Sequence, residues 1–188
     1  MIYIDEGIHD FDLNAALRDI SEQRREQALR FRFELGQREC VLAYLLLKRA
    51  LREEYGLTEN PLLGYGEHGK PFIIGHPEIY FNLSHCREAV ACAVSDHPVG
   101  IDVESVRQYK DSLVGFTMNE AEQRLITEAE RPEVAFIRLW TMKEARLKLT
   151  GEGISDDIKA ALDGERWKFT TVERLEHNYI YTVCEEKV

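Results

Sequence analysis

Cysteine is scarce in this chain of 188 residues: Cys40, Cys86, Cys92 and Cys184 are the only four, and none stands in a CxxC or other paired-ligand spacing. A zinc site or a disulfide framework is therefore not expected, and the four read as reduced core thiols. Long apolar runs are missing too, which excludes a membrane-spanning helix from the expectation. Positive charge is in deficit, with 24 Lys and Arg against 34 Asp and Glu and a formal net charge of −10. That balance argues against nucleic acid as the main ligand, because phosphate affinity grows with the number of neutralised charges; a local basic pocket stays compatible with it. The first residues, Met1 to Leu13, place acids where a secretory signal needs a basic start, so a cytoplasmic location is expected. What is present, 44% hydrophobic and 31% charged residues, suits a globular chain of one to two domains with a sizeable core.

Along the chain, Met1 to Ile4 reads as a strand, and residues 14–33 are rich in strong helix formers. A broad apolar stripe from Gln37 to Glu54, closed by Gly56, predicts a central helix. Residues 59–76 hold two of the five prolines and four of the twelve glycines, and read as turns around at most a short strand. Ile79 to Leu83, Ala89 to Val94 and Val99 to Val103 predict three short strands in an antiparallel meander. Asn119 is placed to cap a helix, Pro132 to open one that Gly151 ends, and residues 166–185 carry a closing hairpin. Helices and strands come in blocks, so the expected class is α+β.

Three clusters can do chemistry. Asp102 and Glu104, two apart on a strand, project from one face and repel; either water solvates that face or a hard divalent cation makes it favourable. Trp140, Glu144 and Lys148 fall at i, i+4 and i+8 of a helix and share a face, with Lys143 beside them. That pattern is either an ordinary exposed ion pair next to a core Trp, or a third acid flanked by cations suited to phosphate oxygens. Lys70, in a Gly-Lys-Pro turn, and Ser84 and His85, at a strand end, can all donate hydrogen bonds to phosphate.

In chain order, Gly69-Lys70-Pro71, then Asn82-Leu83-Ser84-His85, then Val99-Gly100-Ile101-Asp102-Val103-Glu104, then Trp140-Thr141-Met142-Lys143-Glu144-Ala145 with Lys148 closely resemble the 4′-phosphopantetheinyl transferases of the surfactin-synthetase-activating type. The resemblance implies two similar α+β halves, residues 1–97 and 98–188, in one pseudo-duplicated unit with the active site in the cleft between them, working as a monomer. It implies transfer of the phosphopantetheine arm of coenzyme A to a serine of an acyl or peptidyl carrier protein, with release of adenosine 3′,5′-bisphosphate. By resemblance, Asp102, Glu104 and Glu144 would hold Mg²⁺, and Mn²⁺ suits the same oxygen ligands. Glu144 or a metal-bound water would be the base, and Lys148 and Lys143 would stabilise pyrophosphate charge. Lys70, Ser84 and His85 would grip coenzyme A, His85 near the 3′-phosphate, with Arg38 the first choice among the upstream Arg25, Arg30 and Arg38. The surface from Gly115 to Arg131 would select the carrier. Neither nucleic acid nor a membrane is an expected partner. Two other readings remain: a non-catalytic carrier- or nucleotide-binding module of the same fold, and a different Mg²⁺-dependent phosphoryl-transfer enzyme.

Overall fold

Helix α3 (Glu34–Tyr55) is the spine of the first half of the computed structural model, which describes residues 1–151 and 158–187. It buries Cys40, Val41, Tyr44, Leu47 and Leu51, a stripe at helical spacing, and stops where Gly56 turns left-handed at φ 70°. Gly56 N–H returns to Arg52 O at 3.2 Å and Leu57 N–H to Leu51 O at 3.2 Å, so the last carbonyls are satisfied. The helix expected over residues 14–33 is instead two, α1 (Leu13–Asp19) and α2 (Glu22–Leu29). The break has a local cause: Ile20 is extended, and the Ser21 hydroxyl accepts from Arg24 N–H at 3.2 Å, capping a new helix rather than continuing the old one.

These helices cover a three-stranded antiparallel sheet ordered β1-β5-β4, from β1 (Ile2–Asp5), β4 (Tyr80–His85) and β5 (Val90–Ser95). The turn-rich stretch before β4 holds a small hairpin, β2 (Leu63–Tyr65) with β3 (Pro71–Ile73), whose tip needs Gly69 at φ 77°. A second antiparallel sheet, ordered β6-β8-β7, is built from β6 (Val99–Ser105), β7 (Trp167–Arg174) and β8 (Tyr179–Glu186). The predicted meander is thus corrected: β4 and β5 pair, but β6 leaves for the second sheet because β1 occupies the free edge of β5. β5 alternates as a strand buried on both faces must. Val90, Cys92 and Val94 pack toward α3, while Ala89, Ala91 and Ala93 meet Val99, Ile101, Val103 and Val183 of the second sheet.

Between β6 and β7 come α4 (Asp111–Thr117), which no pattern in the sequence announced, α5 (Glu120–Glu128) and α6 (Pro132–Thr150). Asn119 and Glu122 close a capping box at the start of α5; Pro132 opens α6, and Gly151 ends it at φ 76°. α6 lies on β6 and β8 and packs them closely at Gly100, where a Cβ atom would come within 1.9 Å of Ala145 O. The architecture is α+β, with mixed helices and antiparallel sheets as expected. No helix among the described residues is long and apolar enough to cross a membrane.

Candidate functional site

β4 and β6 are the facing edges of the two sheets, and they are joined by side chains where a ladder would use backbone. Asn82 Oδ1 accepts from Ile101 N–H at 3.1 Å, and Ser84 Oγ accepts from Val103 N–H at 3.2 Å. The i, i+2 spacing on β4 matches the i, i+2 spacing of outward N–H groups on β6, so both edge donors are satisfied. This seam places Asp102, between the two bonded residues, at the base of the cleft.

Asp102 is buried at 3% exposure. Its Oδ1 accepts from Ser84 Oγ at 2.9 Å and from Lys148 Nζ at 2.6 Å, and Lys148 also donates to Ser84 Oγ at 2.8 Å. Close approach at Gly100 is what lowers α6 far enough for Lys148 to reach. Glu144, one turn before Lys148 on the same face, lines a pocket of about 280 Å³ with Gly69, Lys70, Asn82, Leu147 and Lys148. Lys70 closes the other wall, its ammonium donating to Leu149 O at the end of α6. Burial pulls the Lys70 ammonium below its usual range.

Three carboxylates here hold their protons more tightly than free acids. Burial is the first cause for each. The Glu144 carboxyl is pushed from 4.5 to about 7 by burial, then by Asp102 and Glu104, against the pull of Lys148. Asp102 is raised by burial, with Lys148, Ser84 and Val103 N–H acting the other way. Glu104 is raised by burial and by Asp102. Asp102 Oδ2 and Glu144 Oε1 are buried with no hydrogen-bond partner, an unfavourable state that calls for a cation or a donor from a ligand.

The structure thus brings together Lys70, Ser84, Asp102, Glu144 and Lys148. Glu104 stands beside them with its carboxylate engaged, accepting from Trp140 Nε1 at 3.4 Å and lying 3.6 Å from Arg107. Among the described residues no three His, Cys, Asp or Glu side chains are arranged to hold a metal ion, so the three-acid set expected for Mg²⁺ is not preassembled. His85 is half exposed beside Glu39 of α3, Nδ1 to Oε2 3.4 Å. Burial, then Lys148 and Arg24, lower its pKa.

Of the residues expected at the ligand, His85 is not among those lining the pocket, and Lys143 and Arg38 are drawn elsewhere. Lys143 is fully buried on another face of α6, 2.9 Å from Glu122 and donating to Ile158 O at 2.8 Å and Lys159 O at 3.2 Å. Its charge is spent tying α6 to α5, which a helix position one residue from Glu144, turned by about 100°, makes natural. Arg38 donates to Glu34 at 2.7 Å and to Phe11 O at 2.9 Å, and stacks on the Phe11 ring, so it pins the chain between β1 and α1. Arg25 pairs with Glu22 on its own helix. Sequence reasoning overlooked Asn82 as a site residue and Arg24, whose guanidinium donates to Cys40 O at 3.1 and 2.8 Å and ties α2 to α3. A polar residue two before Ser84 on a strand was the available signal for Asn82.

Residues 98–186, which contain β6, α6 and the acids just described, match the family model of the 4′-phosphopantetheinyl transferase superfamily. The chain is 39% identical over 139 residues to the 4′-phosphopantetheinyl transferase psf-1 of Bacillus pumilus, covering 72% of this chain and 60% of that protein. It is 28% identical to the 4′-phosphopantetheinyl transferase Sfp of Bacillus subtilis (strain 168), covering 82% and 70%. With the 4′-phosphopantetheinyl transferase HetI of Nostoc sp. (strain PCC 7120 / SAG 25.82 / UTEX 2576), identity is 33% over 162 residues, 80% of this chain and 67% of the relative. The chain thus spans about three fifths of the length of psf-1 and about two thirds of HetI. Agreement at this identity and coverage, added to the four ordered motifs, assigns the chain to the 4′-phosphopantetheinyl transferase superfamily.

Proposed function

We propose that the chain transfers the 4′-phosphopantetheine group of coenzyme A to a serine of an acyl or peptidyl carrier protein, in a Mg²⁺-dependent reaction that releases adenosine 3′,5′-bisphosphate. The observation that supports this most is the pocket in which Lys148, Asp102 and Ser84 form one buried network beside a Glu144 whose pKa lies near neutrality. Displacement at a phosphorus needs neutralised phosphate oxygens and an acceptor for the hydroxyl proton. Lys148 and Lys70 both line the pocket and supply positive charge, and Glu144, its metal-free carboxyl raised to about 7, is the candidate to take the serine proton. Ser84 and Val103 N–H hold Asp102 in place.

The unpartnered Asp102 Oδ2 and Glu144 Oε1 fit a small divalent cation, since Mg²⁺ takes one or two carboxylates and completes its shell with water and substrate phosphates. When bound, that ion would neutralise pyrophosphate charge. Glu104, engaged by Trp140 and Arg107, is the outer acid of the set. The halves 1–97 and 98–188 are read as related units, each a three-stranded sheet backed by a long helix. Ser84 from the first meets Asp102 and Lys148 from the second within one chain, which supports a monomeric enzyme. The pocket is lined by Lys70 and Lys148 and by one carboxylate, Glu144, with Asp102 bonded to Lys148 behind them, so in a chain of net −10 two ammonium groups stand where an anionic cofactor would lie.

The test is mass spectrometry of a panel of apo carrier proteins incubated with coenzyme A, Mg²⁺ and the protein. A gain of one phosphopantetheine, lost in Asp102→Ala and Glu144→Ala, is the expected result. No gain on any carrier while coenzyme A still binds would favour the non-catalytic module, and cleavage of coenzyme A without a carrier would favour a different phosphoryl-transfer enzyme.

A further inference from the structure

In the pocket, both ammonium groups already have protein acceptors: Lys148 has Asp102 and Ser84, and Lys70 has Leu149 O. Asn82 is different. It is 4% exposed, lines the same pocket, and its Oδ1 is committed to Ile101 N–H at 3.1 Å. Because a backbone N–H can only donate, that bond settles which end of the amide is oxygen, and the Nδ2 donors are held away from β6. A rigid, neutral donor pair at the wall of a pocket containing Glu144 can bind an anionic oxygen without forming a competing ion pair with that acid.

We propose that Asn82 is a further ligand-binding residue, whose Nδ2 donates to a phosphate oxygen of the substrate held between Lys70 and Lys148. The inference rests on the coenzyme A reading of the pocket and deepens it. Asn82 then does two things at once. Its oxygen joins the two sheets at Ile101, and its nitrogen registers the ligand against that seam, so the phosphate is positioned relative to Asp102, the next residue of β6.

Two substitutions separate these tasks. Asn82→Ser leaves an oxygen able to accept from Ile101 N–H in the manner Ser84 accepts from Val103 N–H, and removes the amide donors without adding charge. Asn82→Asp keeps the length and the acceptor and removes the same donors. Calorimetric titration with coenzyme A, without metal and at low and high salt, is expected to show affinity reduced about tenfold or more in both variants, the loss that follows removal of a hydrogen bond to a charged acceptor. The Ser variant, which adds no charge, carries the comparison, since salt screens a repulsion between buried carboxylates only weakly. A thermal melt of the free Ser variant should stay within a few degrees of the wild type, marking an intact seam. Binding within twofold of wild type in either folded variant overturns the role of Asn82 while leaving the coenzyme A reading standing. No binding by the wild-type protein overturns the reading itself, and this inference with it.

Discussion

Glutamine at position 144 should make the metal-free protein more stable at alkaline pH while abolishing transfer. The ionised form of Glu144 is held in a half-buried site next to Asp102 and Glu104, which raises its pKa from 4.5 to about 7. An acid whose folded pKa is raised adds stability that is complete below pH 4.5 and is lost as pH climbs through about 7, because the folded state binds the proton that the unfolded state has released. That rise corresponds to about 3 kcal/mol at full strength, and partial solvent screening lowers it to about 2 kcal/mol. Glu144→Gln removes the titration and keeps the shape. At pH 8 without divalent ions the variant should therefore exceed wild type by about 2 kcal/mol, an increase in melting temperature of roughly 4–8 °C for a chain of this size. At pH 4 the two should coincide. Denaturant or thermal melts at the two pH values decide it, and equal stability of variant and wild type at pH 8 would refute the claim that this carboxylate is strained by its neighbours.

Lys148→Met leaves Asp102 buried without its ammonium, and should cost about 2–3 kcal/mol at pH 8 and less as pH falls, since burial raises the Asp102 carboxyl above its usual range; melts from pH 8 to pH 4 measure it. Gly100→Ala drives a methyl group to 1.9 Å from Ala145 O, a backbone atom, and should destabilise by about 3 kcal/mol or more or prevent folding, read by circular dichroism of the purified variant. Lys143→Met strands the buried Glu122 and should cost about 3 kcal/mol, whereas adding Glu122→Gln, which removes the charge and keeps an acceptor for Asn119 N–H, should recover most of it in a denaturant titration. If Lys143→Met instead weakens coenzyme A binding at full stability, Lys143 acts at the ligand after all.

Much of the local structure was legible in the amino-acid order because it depends on contacts a few residues apart. Gly56 and Gly151 end their helices in the left-handed region, Asn119 and Glu122 close a capping box, and residues 166–185 fold back on themselves as a hairpin. The pairing of Glu144 with Lys148 on one helix face follows from the helical period alone. Which face meets which neighbour does not follow from it. Lys143 is adjacent to Glu144 in sequence, yet the packing of α5 against α6 turns it inward to Glu122, and Arg38 is drawn to Phe11 O across 27 residues. β6 left the expected meander because β1, about 90 residues away, fills the edge of β5. Asn82 belonged to a recognised motif but had no role of its own until the second sheet put Ile101 N–H opposite its oxygen. The sequence by itself determined the class, the helix ends and the chemical types at the site. Only the tertiary structure decided which of those groups share a pocket, since that depends on two sheet edges, far apart in the chain, meeting through the side chains of Asn82 and Ser84.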